Sequence, residues 1–546
     1  MRRFSICALS MLLPLCGTLR ASAADVSPLV DEVLSECGER AAVWVFFTDK
    51  GLRDSGEIEN AMLELEASYP SRAIRRRRLR RSATDLFDVR DVPVCTRYLD
   101  GVLATGTRQR TTSRWLNAVS VEADSEQVET IAAMPFVRRI EPVRMGQRLD
   151  AVPGEDVEAV RFAPRGGFYG IADNQLQMIN IPAMHTAGFT GQGVVIGVLD
   201  TGFARTHEAF NNPAKPINVL AEWDFVSDDP DTSFDPNDPV LGNFFQHDHG
   251  TWILGTMAAY MPNVMVGGAF DASFILTKTE DISSETQVEE DYYAAGLEFI
   301  ELHGGDMTTS SLGYIDWYTW FDLDGQTAVT TVAINTAIEN GLICVTAVGN
   351  GGRDNDFPSL IAPSDAPRII SCGAVDSARV IAGFSSNGPT ADGRVKPEVL
   401  AQGVSVATVS PHDDAAYQTV SGTSLSTPLV ASAVALLIQA HPDWTVDQIR
   451  EALFNTADYF VANGTFDPNS ALGYGIIDAD AARQVVFCTG DLNGDAQVDL
   501  ADLAMQLSGF GITSGATLSD GDVDGDGDVD LADLALLLGN FGTICS

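Results

Sequence analysis

Gly422-Thr423-Ser424-Leu425-Ser426-Thr427-Pro428, running into the apolar stretch Leu429 to Ile438, decides how this chain reads. It puts a serine near the start of a buried helix, where the aligned peptide dipoles favour developing negative charge. Asp200-Thr201-Gly202 and His249-Gly250-Thr251 supply its partners upstream. A serine hydroxyl is a poor nucleophile at neutral pH. It becomes a useful one when an imidazole takes its proton and a carboxylate holds that imidazole in one tautomer. The order Asp, His, Ser is a weak signal alone, and the flanking residues strengthen it. Asp200 ends Val194-Val195-Ile196-Gly197-Val198-Leu199, a run expected for a strand buried on both faces. Its carboxylate is therefore expected at the C-terminal edge of a parallel sheet, where open α/β folds gather ligands. His249 opens a small and apolar stretch, Gly250 to Tyr260, that predicts a buried helix. His247 is a rival base, but the Gly-Thr after His249 favours His249, and His247 reads as a solvated loop histidine.

Further motifs follow in order: Ser310-Ser311-Leu312-Gly313, Val345-Thr346-Ala347-Val348-Gly349-Asn350, Phe384-Ser385-Ser386-Asn387-Gly388-Pro389, Lys396-Pro397-Glu398 and Gly473-Tyr474-Gly475-Ile476-Ile477-Asp478-Ala479. With the three triad segments, they make roughly residues 168 to 486 resemble a subtilisin-type serine protease. The resemblance implies an α/β fold, a parallel sheet flanked by helices, acting on protein or peptide substrates. It implies Asp200, His249 and Ser424 as catalytic residues, Asn350 as the oxyanion-hole amide, and Ser311, Leu312, Gly313 and Gly349 at the substrate. Alternatives stay open for single residues: Gly-Asn-Gly-Gly is also good turn chemistry, and Ser424 alone could be a helix cap. The chain departs from the family with Trp252, Leu425, Ser426 and Gln402, where histidine, methionine, alanine and proline are common. None of these removes a catalytic group. An inactive binding or scaffold protein on the same fold is the alternative, and the intact triad and Asn350 argue against it.

The C-terminus holds an internal repeat. Asp491-Leu492-Asn493-Gly494-Asp495 recurs as Asp522-Val523-Asp524-Gly525-Asp526, offset by 31 residues, and each copy continues into Val-Asp-Leu-Ala-Asp-Leu-Ala. Oxygen ligands at loop positions one, three, five, nine and twelve match an EF-hand-like calcium loop. They are Asp491, Asn493, Asp495, Asp499 and Asp502, then Asp522, Asp524, Asp526, Asp530 and Asp533. Aspartate at position twelve, one helix per loop and two tandem copies make residues 488–545 resemble a dockerin, which implies a cohesin-like partner. Leu503, Leu507 and Phe510, with Leu534, Leu538 and Phe541, fall at helical intervals that suggest a small core. Ala496 stands where a glycine is expected at position six, whereas the second loop has Gly527, so the first site is expected to be weaker. A module this short draws part of its folding free energy from the metal. Cys488 and Cys545 bracket it and could close a clasp.

Met1-Arg2-Arg3, an apolar stretch to Leu19 and Ala21-Ser22-Ala23 predict a signal peptide over residues 1–23, hence export. No later segment reads as a membrane span. Residues 24–165 carry none of the protease motifs, and short strands and helices there resemble a propeptide, with strands expected at Ala42–Phe47 and Ser113–Val121. The run Arg75-Arg76-Arg77-Arg78 with Arg80-Arg81 reads as a solvated helix complementing an acidic catalytic domain over 166–486. A formal net charge of −41 argues against a nucleic-acid partner. Cys344 and Cys372 lie in apolar strands and read as buried thiols.

Overall fold

The computed structural model describes residues 24–37, 40–82, 85–143, 160–161, 167–236, 238–241, 244–282, 290–314, 318–353, 358–495, 497–513, 516–524 and 527–544. The expected signal peptide, most of the linker between 144 and 166, and Ala496, Asp526 and Cys545 lie outside the described residues.

The N-terminal unit is a five-stranded sheet with helices. Its strands are β1 (Asp25–Val26), β2 (Ala41–Phe47), β3 (Arg108–Ser113), β4 (Ala118–Ala123) and β5 (Val137–Pro142), ordered β1-β5-β2-β4-β3. Only β1 and β5 run parallel. Helices α1 (Pro28–Cys37), α4 (Thr96–Leu103) and α5 (Ser125–Ala132) cover one face through Val30, Leu34, Tyr98, Val102, Val128 and Ile131. β2 does not alternate polar and apolar residues because both of its faces are buried. Val43, Val45 and Phe47 join the unit's own core, while Ala42, Trp44 and Phe46 cluster with Val329 of the central domain. The expected strand Ser113–Val121 is a hairpin instead. Asn117 takes a left-handed φ of 51°, and Glu298 of the central domain accepts the Trp115 and Arg114 amides, so the chain turns between β3 and β4.

Between α2 (Ser55–Ser68) and the loop before α4 lies α3 (Ser71–Arg80), which carries the arginine run. Arg76, Arg77 and Arg80 are buried rather than solvated. Burying a guanidinium is unfavourable unless its charge and donors find partners, and here the central domain provides them.

That domain is a seven-stranded parallel sheet of β6 (Val195–Asp200), β7 (Asn218–Asp224), β8 (Ser273–Lys278), β9 (Met307–Ser310), β10 (Ile343–Ala347), β11 (Ile370–Val375) and β12 (Val399–Gln402). The order is β12-β11-β10-β9-β6-β8-β7. Helices α6 (Asp248–Ala258), α7 (Glu290–Leu302) and α8 (Val329–Glu339) pack on it, and the hairpin β13 (Val406–Val409) and β14 (Tyr417–Val420) leads into α9 (Thr423–Ala440). α9 is long and apolar enough to cross a membrane by length and composition, contrary to the expectation that no segment after the signal peptide would be. Its apolar residues instead face the core all round, with 89% of the window buried.

The surface of α7 toward the N-terminal unit carries Asp291, Glu298 and Glu301, three, seven and ten residues apart and so on one face. Glu301 takes Arg76, Tyr69, Arg77 at 3.0 Å and Arg114 at 2.9 Å. Arg77 also forks onto Asp91 at 2.7 and 2.8 Å. Arg110 and Ser120 bind Asp291, and Arg90 forks onto Glu339. Burial alone would raise the Glu301 carboxyl, but Arg76, Arg77 and Arg114 hold it down to about 2.

The C-terminal unit holds α10 (Leu500–Gly509) and α11 (Leu531–Gly539). Its two halves repeat at the level of single bonds. Asp502 accepts from Leu492, Asn493 and Asp499 amides; Asp533 accepts from Val523, Asp524 and Asp530 amides. Val498 pairs with Gly542 and Thr543, as Val529 pairs with Gly511 and Ile512. The expected apolar core is smaller than the sequence suggested: Leu492, Val498 and Leu537 are buried, while Leu507, Phe510, Leu538 and Phe541 are exposed.

Candidate active site

Three sheet elements and two helices bring the catalytic candidates together. β6 ends at Asp200, whose Oδ1 accepts from His249 Nδ1 at 2.7 Å and from the Thr201 amide at 2.7 Å. His249 is the second residue of α6 and is fully buried. Its Nδ1 is thereby committed to the carboxylate, which leaves Nε2 as the nitrogen that can take a proton. Ser424 is the second residue of α9 and is also buried. His249 Nε2 and Ser424 Oγ have no hydrogen-bond partner among the described residues. Catalytic contacts of this kind are often loose until substrate binds.

Asn350 follows β10 and is oriented by Thr423, the neighbour of Ser424. Its Oδ1 accepts from the Thr423 amide and hydroxyl, each at 2.9 Å, so its Nδ2 is the end left to donate toward the Ser424 side. Gly422 is held at φ 154°, and a Cβ there would come within 2.9 Å of Ser424 Oγ and 3.5 Å of Asn350 Nδ2. A larger residue would therefore intrude between the two groups.

Pro428 sits inside α9 and has no N–H. The carbonyl four residues back belongs to Ser424 and so lacks its helical donor. Ser311 Oγ supplies one at 2.9 Å. This anchoring of the Ser424 backbone was not read from the sequence, where Ser311 stood as a substrate contact. The Pro428 spacing could have signalled it. Leu312 is fully buried in the main core, and a Cβ at Gly313 would overlap Ile361. Gly349 takes φ 119°, and a Cβ there would meet Ser386 Oγ at 2.7 Å. These residues shape the backbone around the site.

His247, expected as a solvated loop residue, is buried as the N-cap of α6, with Phe234 and Phe245 rings against it. Desolvation lowers its pKa, with the Asp248 charge opposing. Cys344 and Cys372 are free and buried as expected, on neighbouring strands; burial pushes the Cys344 thiol up to about 12. Cys488 is disulfide-bonded.

The second C-terminal loop gathers oxygen donors of the kind a hard divalent cation takes. Asp522, Asp524 and Asp533 hold carboxylate oxygens within 4.8 Å of one another, as do Asp528, Asp530 and Asp533. Oxygens bonded to one calcium ion at about 2.4 Å lie no farther apart than that. Asp528, which the loop spacing did not single out, joins the carboxylate cluster. Among the described residues, no group of three acids converges in this way around the first loop.

The fold agrees with what the chain is similar to. The subtilase family profile matches residues 191–475, and the peptidase S8 propeptide domain of Bacteroidota matches residues 42–154. Subtilisin E from Bacillus subtilis (strain 168) is 29% identical over 388 residues, covering 70% of this chain and 85% of the relative. Subtilisin from Bacillus pumilus is 31% identical over 319 residues, covering 58% of this chain and 98% of the relative. The crystal structure of fervidolysin from Fervidobacterium pennivorans shares the fold, with a TM-score of 0.58 at 22% identity, and covers 85% of this chain; the chain spans 63% of fervidolysin's length. With its parallel sheet, its propeptide domain and these relatives, the chain belongs to the subtilase family of serine endopeptidases.

Proposed function

We infer that the protein is an exported endopeptidase that cleaves peptide bonds through Asp200, His249 and Ser424. The observation that carries this reading is the buried 2.7 Å contact between His249 Nδ1 and Asp200, on the sheet edge that α6 and α9 share. His249 Nε2 takes the Ser424 proton as Oγ attacks the substrate carbonyl. Asp200 stabilises the imidazolium, and the proton then passes to the leaving amine. The tetrahedral oxyanion is met by the Asn350 amide and the Ser424 backbone N–H at the start of α9. Asn350→Ala is expected to lower kcat by about a hundredfold or more with little change in KM, since the amide acts mainly in the transition state. That scale is the one seen when a subtilisin loses this kind of donor. Steady-state kinetics on a peptide library substrate checks it, and an unchanged kcat would remove Asn350 from the site. Labelling of Ser424 by a phosphonate probe separates the enzyme from an inactive scaffold of the same fold.

The C-terminal unit serves as a calcium-dependent attachment module of the dockerin kind. Its ligands are Asp491, Asn493, Asp495, Asp499 and Asp502 in one loop, and Asp522, Asp524, Asp526, Asp530 and Asp533 in the other. Calcium neutralises the clustered carboxylates and ties each loop to its helix. Apolar residues recur on the outside at the repeat spacing: Leu500 and Leu531 are 72% and 70% exposed, and Leu507, Leu538, Phe510 and Phe541 are exposed with them. Such paired patches suit a protein partner of the cohesin type. In the full-length Ser424→Ala chain, calcium is expected to protect residues 488–545 from an added protease, and a chelator to remove that protection. Asp522→Ala should lose more of the protection than Asp491→Ala, because the second loop gathers its acids and keeps Gly527 at φ 90°. Mass spectrometry of the fragments reads the ranking; the reverse order would overturn it.

A further inference from the structure

The residues just ahead of His249 form a cluster that hydrolysis does not use. His247 and Asp248 are 4% and 2% exposed, and they meet His412, in the loop between β13 and β14. His412 Nε2 lies 3.1 Å from Asp248 Oδ2, and His247 Nε2 lies 3.7 Å from Asp248 Oδ1. One nitrogen or oxygen from each residue falls within 4.8 Å of the others. The Phe245 amide anchors Asp248 Oδ2 at 2.9 Å, which leaves Oδ1 buried, turned to His247, and without a hydrogen-bond partner among the described residues. His247 is buried with it, and the Pro411 carbonyl faces its ring. Buried polar atoms are nearly always satisfied, so an orphaned carboxylate oxygen between two imidazoles points to a missing ligand.

We propose that His247, Asp248 and His412 bind a divalent transition-metal ion of the zinc type. Two imidazoles and one carboxylate are the donor set of three-ligand zinc sites, with a fourth position left to water. Donors bonded at about 2.1 Å in a tetrahedron lie about 3.4 Å apart; here each imidazole lies near its own oxygen of Asp248, at 3.1 and 3.7 Å, so the carboxylate can face an ion held between the two rings. Calcium and magnesium prefer oxygen donors alone, so this site differs in chemistry from the C-terminal loops. The Phe245 ring packs on both imidazoles and holds them near each other. His412, with 44% of its side chain exposed, gives the ion a path from solvent. The amide end of α6 disfavours a cation there, and the Asp248 charge offsets it.

Both arms of this cluster lead to catalytic groups. Asp248 is bonded to His249, and β14 runs directly into Gly422-Thr423-Ser424. A bound ion cross-braces α6 to the hairpin and opposes the positive charge His249 acquires when it takes the serine proton. Zinc therefore raises thermal stability and slows hydrolysis. The rate effect rests on the catalytic reading of His249; the binding does not.

The binding test uses the full-length Ser424→Ala protein with its C-terminal loops saturated with calcium. Titration calorimetry is expected to show a zinc site, and cobalt in its place to show the visible bands of a tetrahedral centre. His412→Ala, at the exposed ligand and compatible with folding, is expected to lose about tenfold or more in zinc affinity together with those bands. His247→Asn should do the same. Equal zinc affinity in His412→Ala, or a cobalt spectrum that this change leaves intact, overturns the proposal. In the active enzyme, zinc is expected to slow wild type reversibly and to leave His412→Ala unaffected. Equal slowing of both also overturns it.

Discussion

The Ser424→Ala protein is expected to remain at full length and to hydrolyse peptide bonds about a million times more slowly than wild type. That factor is the scale observed when a subtilisin loses its nucleophile, and the reason for it carries over. Without Oγ, the buried Asp200–His249 pair has no attacking atom to activate, while the Asn350 amide and the start of α9 remain and supply only residual stabilisation of an oxyanion. The same substitution tests maturation. The propeptide domain precedes an intact site, so wild type should cut itself between Arg148 and Tyr169, and the alanine variant should not. Intact-mass measurement of both proteins, made without other proteases, reads this directly. Equal shortening of the two would rule out self-processing.

Glu301→Ala is expected to free the propeptide from the catalytic domain. This single carboxylate is fully buried and receives Arg76, Arg77, Arg114 and the Tyr69 hydroxyl. A buried ion pair with good geometry contributes little net stability compared with apolar packing, but removing one partner leaves the other charge stranded. That costs about 3 kcal/mol or more, which is a hundredfold or more in a dissociation constant. Here three guanidinium groups would lose their common anion, although Arg77 keeps Asp91. In a Ser424→Ala chain cut within the linker by an added protease, the propeptide should stay bound. With Glu301→Ala as well, it should elute separately on gel filtration. Glu301→Gln keeps the hydrogen-bond acceptor and loses the charge, so it isolates the electrostatic part. Retention of the propeptide by the alanine variant at the same concentration would show that Ala42, Trp44 and Phe46 hold the interface without the clamp.

The sign of the pH effect follows from the same contact. Glu301 is held below its unfolded value, so its contribution is complete above about pH 4.3, the ordinary glutamate value, and is lost as pH falls toward about 2. Mild acid near pH 5 is therefore not expected to release the propeptide through this residue.

Much of the fold and the site was legible in the sequence because the relevant chemistry is local. The run Val194–Leu199 predicts a doubly buried strand ending at Asp200, and β6 is that strand. Gly422-Thr423-Ser424 and the apolar stretch after it predict the nucleophile's helix, and α9 starts at Thr423. The acidic repeat is visible because its carboxylates sit a few residues apart, and the structure repeats their hydrogen bonds at the same offset. The subtilase motifs, each only a few residues long, carry the family.

Other features required partners distant along the chain. The arginine run looks solvated when read alone, since an unpaired guanidinium is costly to bury. Only the fold brings Glu301, 225 residues beyond Arg76, to meet it. His247 reads as a loop histidine until His412 and two phenylalanines close over it. Leu507 and Leu538 fall at core-like helical intervals, yet so short a unit offers them no inner surface to cover. Ser311 gains its role only because Pro428 leaves the Ser424 carbonyl open on a neighbouring element. The sequence by itself determined the strands, helices and reactive groups, because periodicity and residue chemistry act over a few residues. Tertiary structure alone decided which charges are buried and which polar atoms are satisfied, because both depend on partners that covalent order does not place side by side.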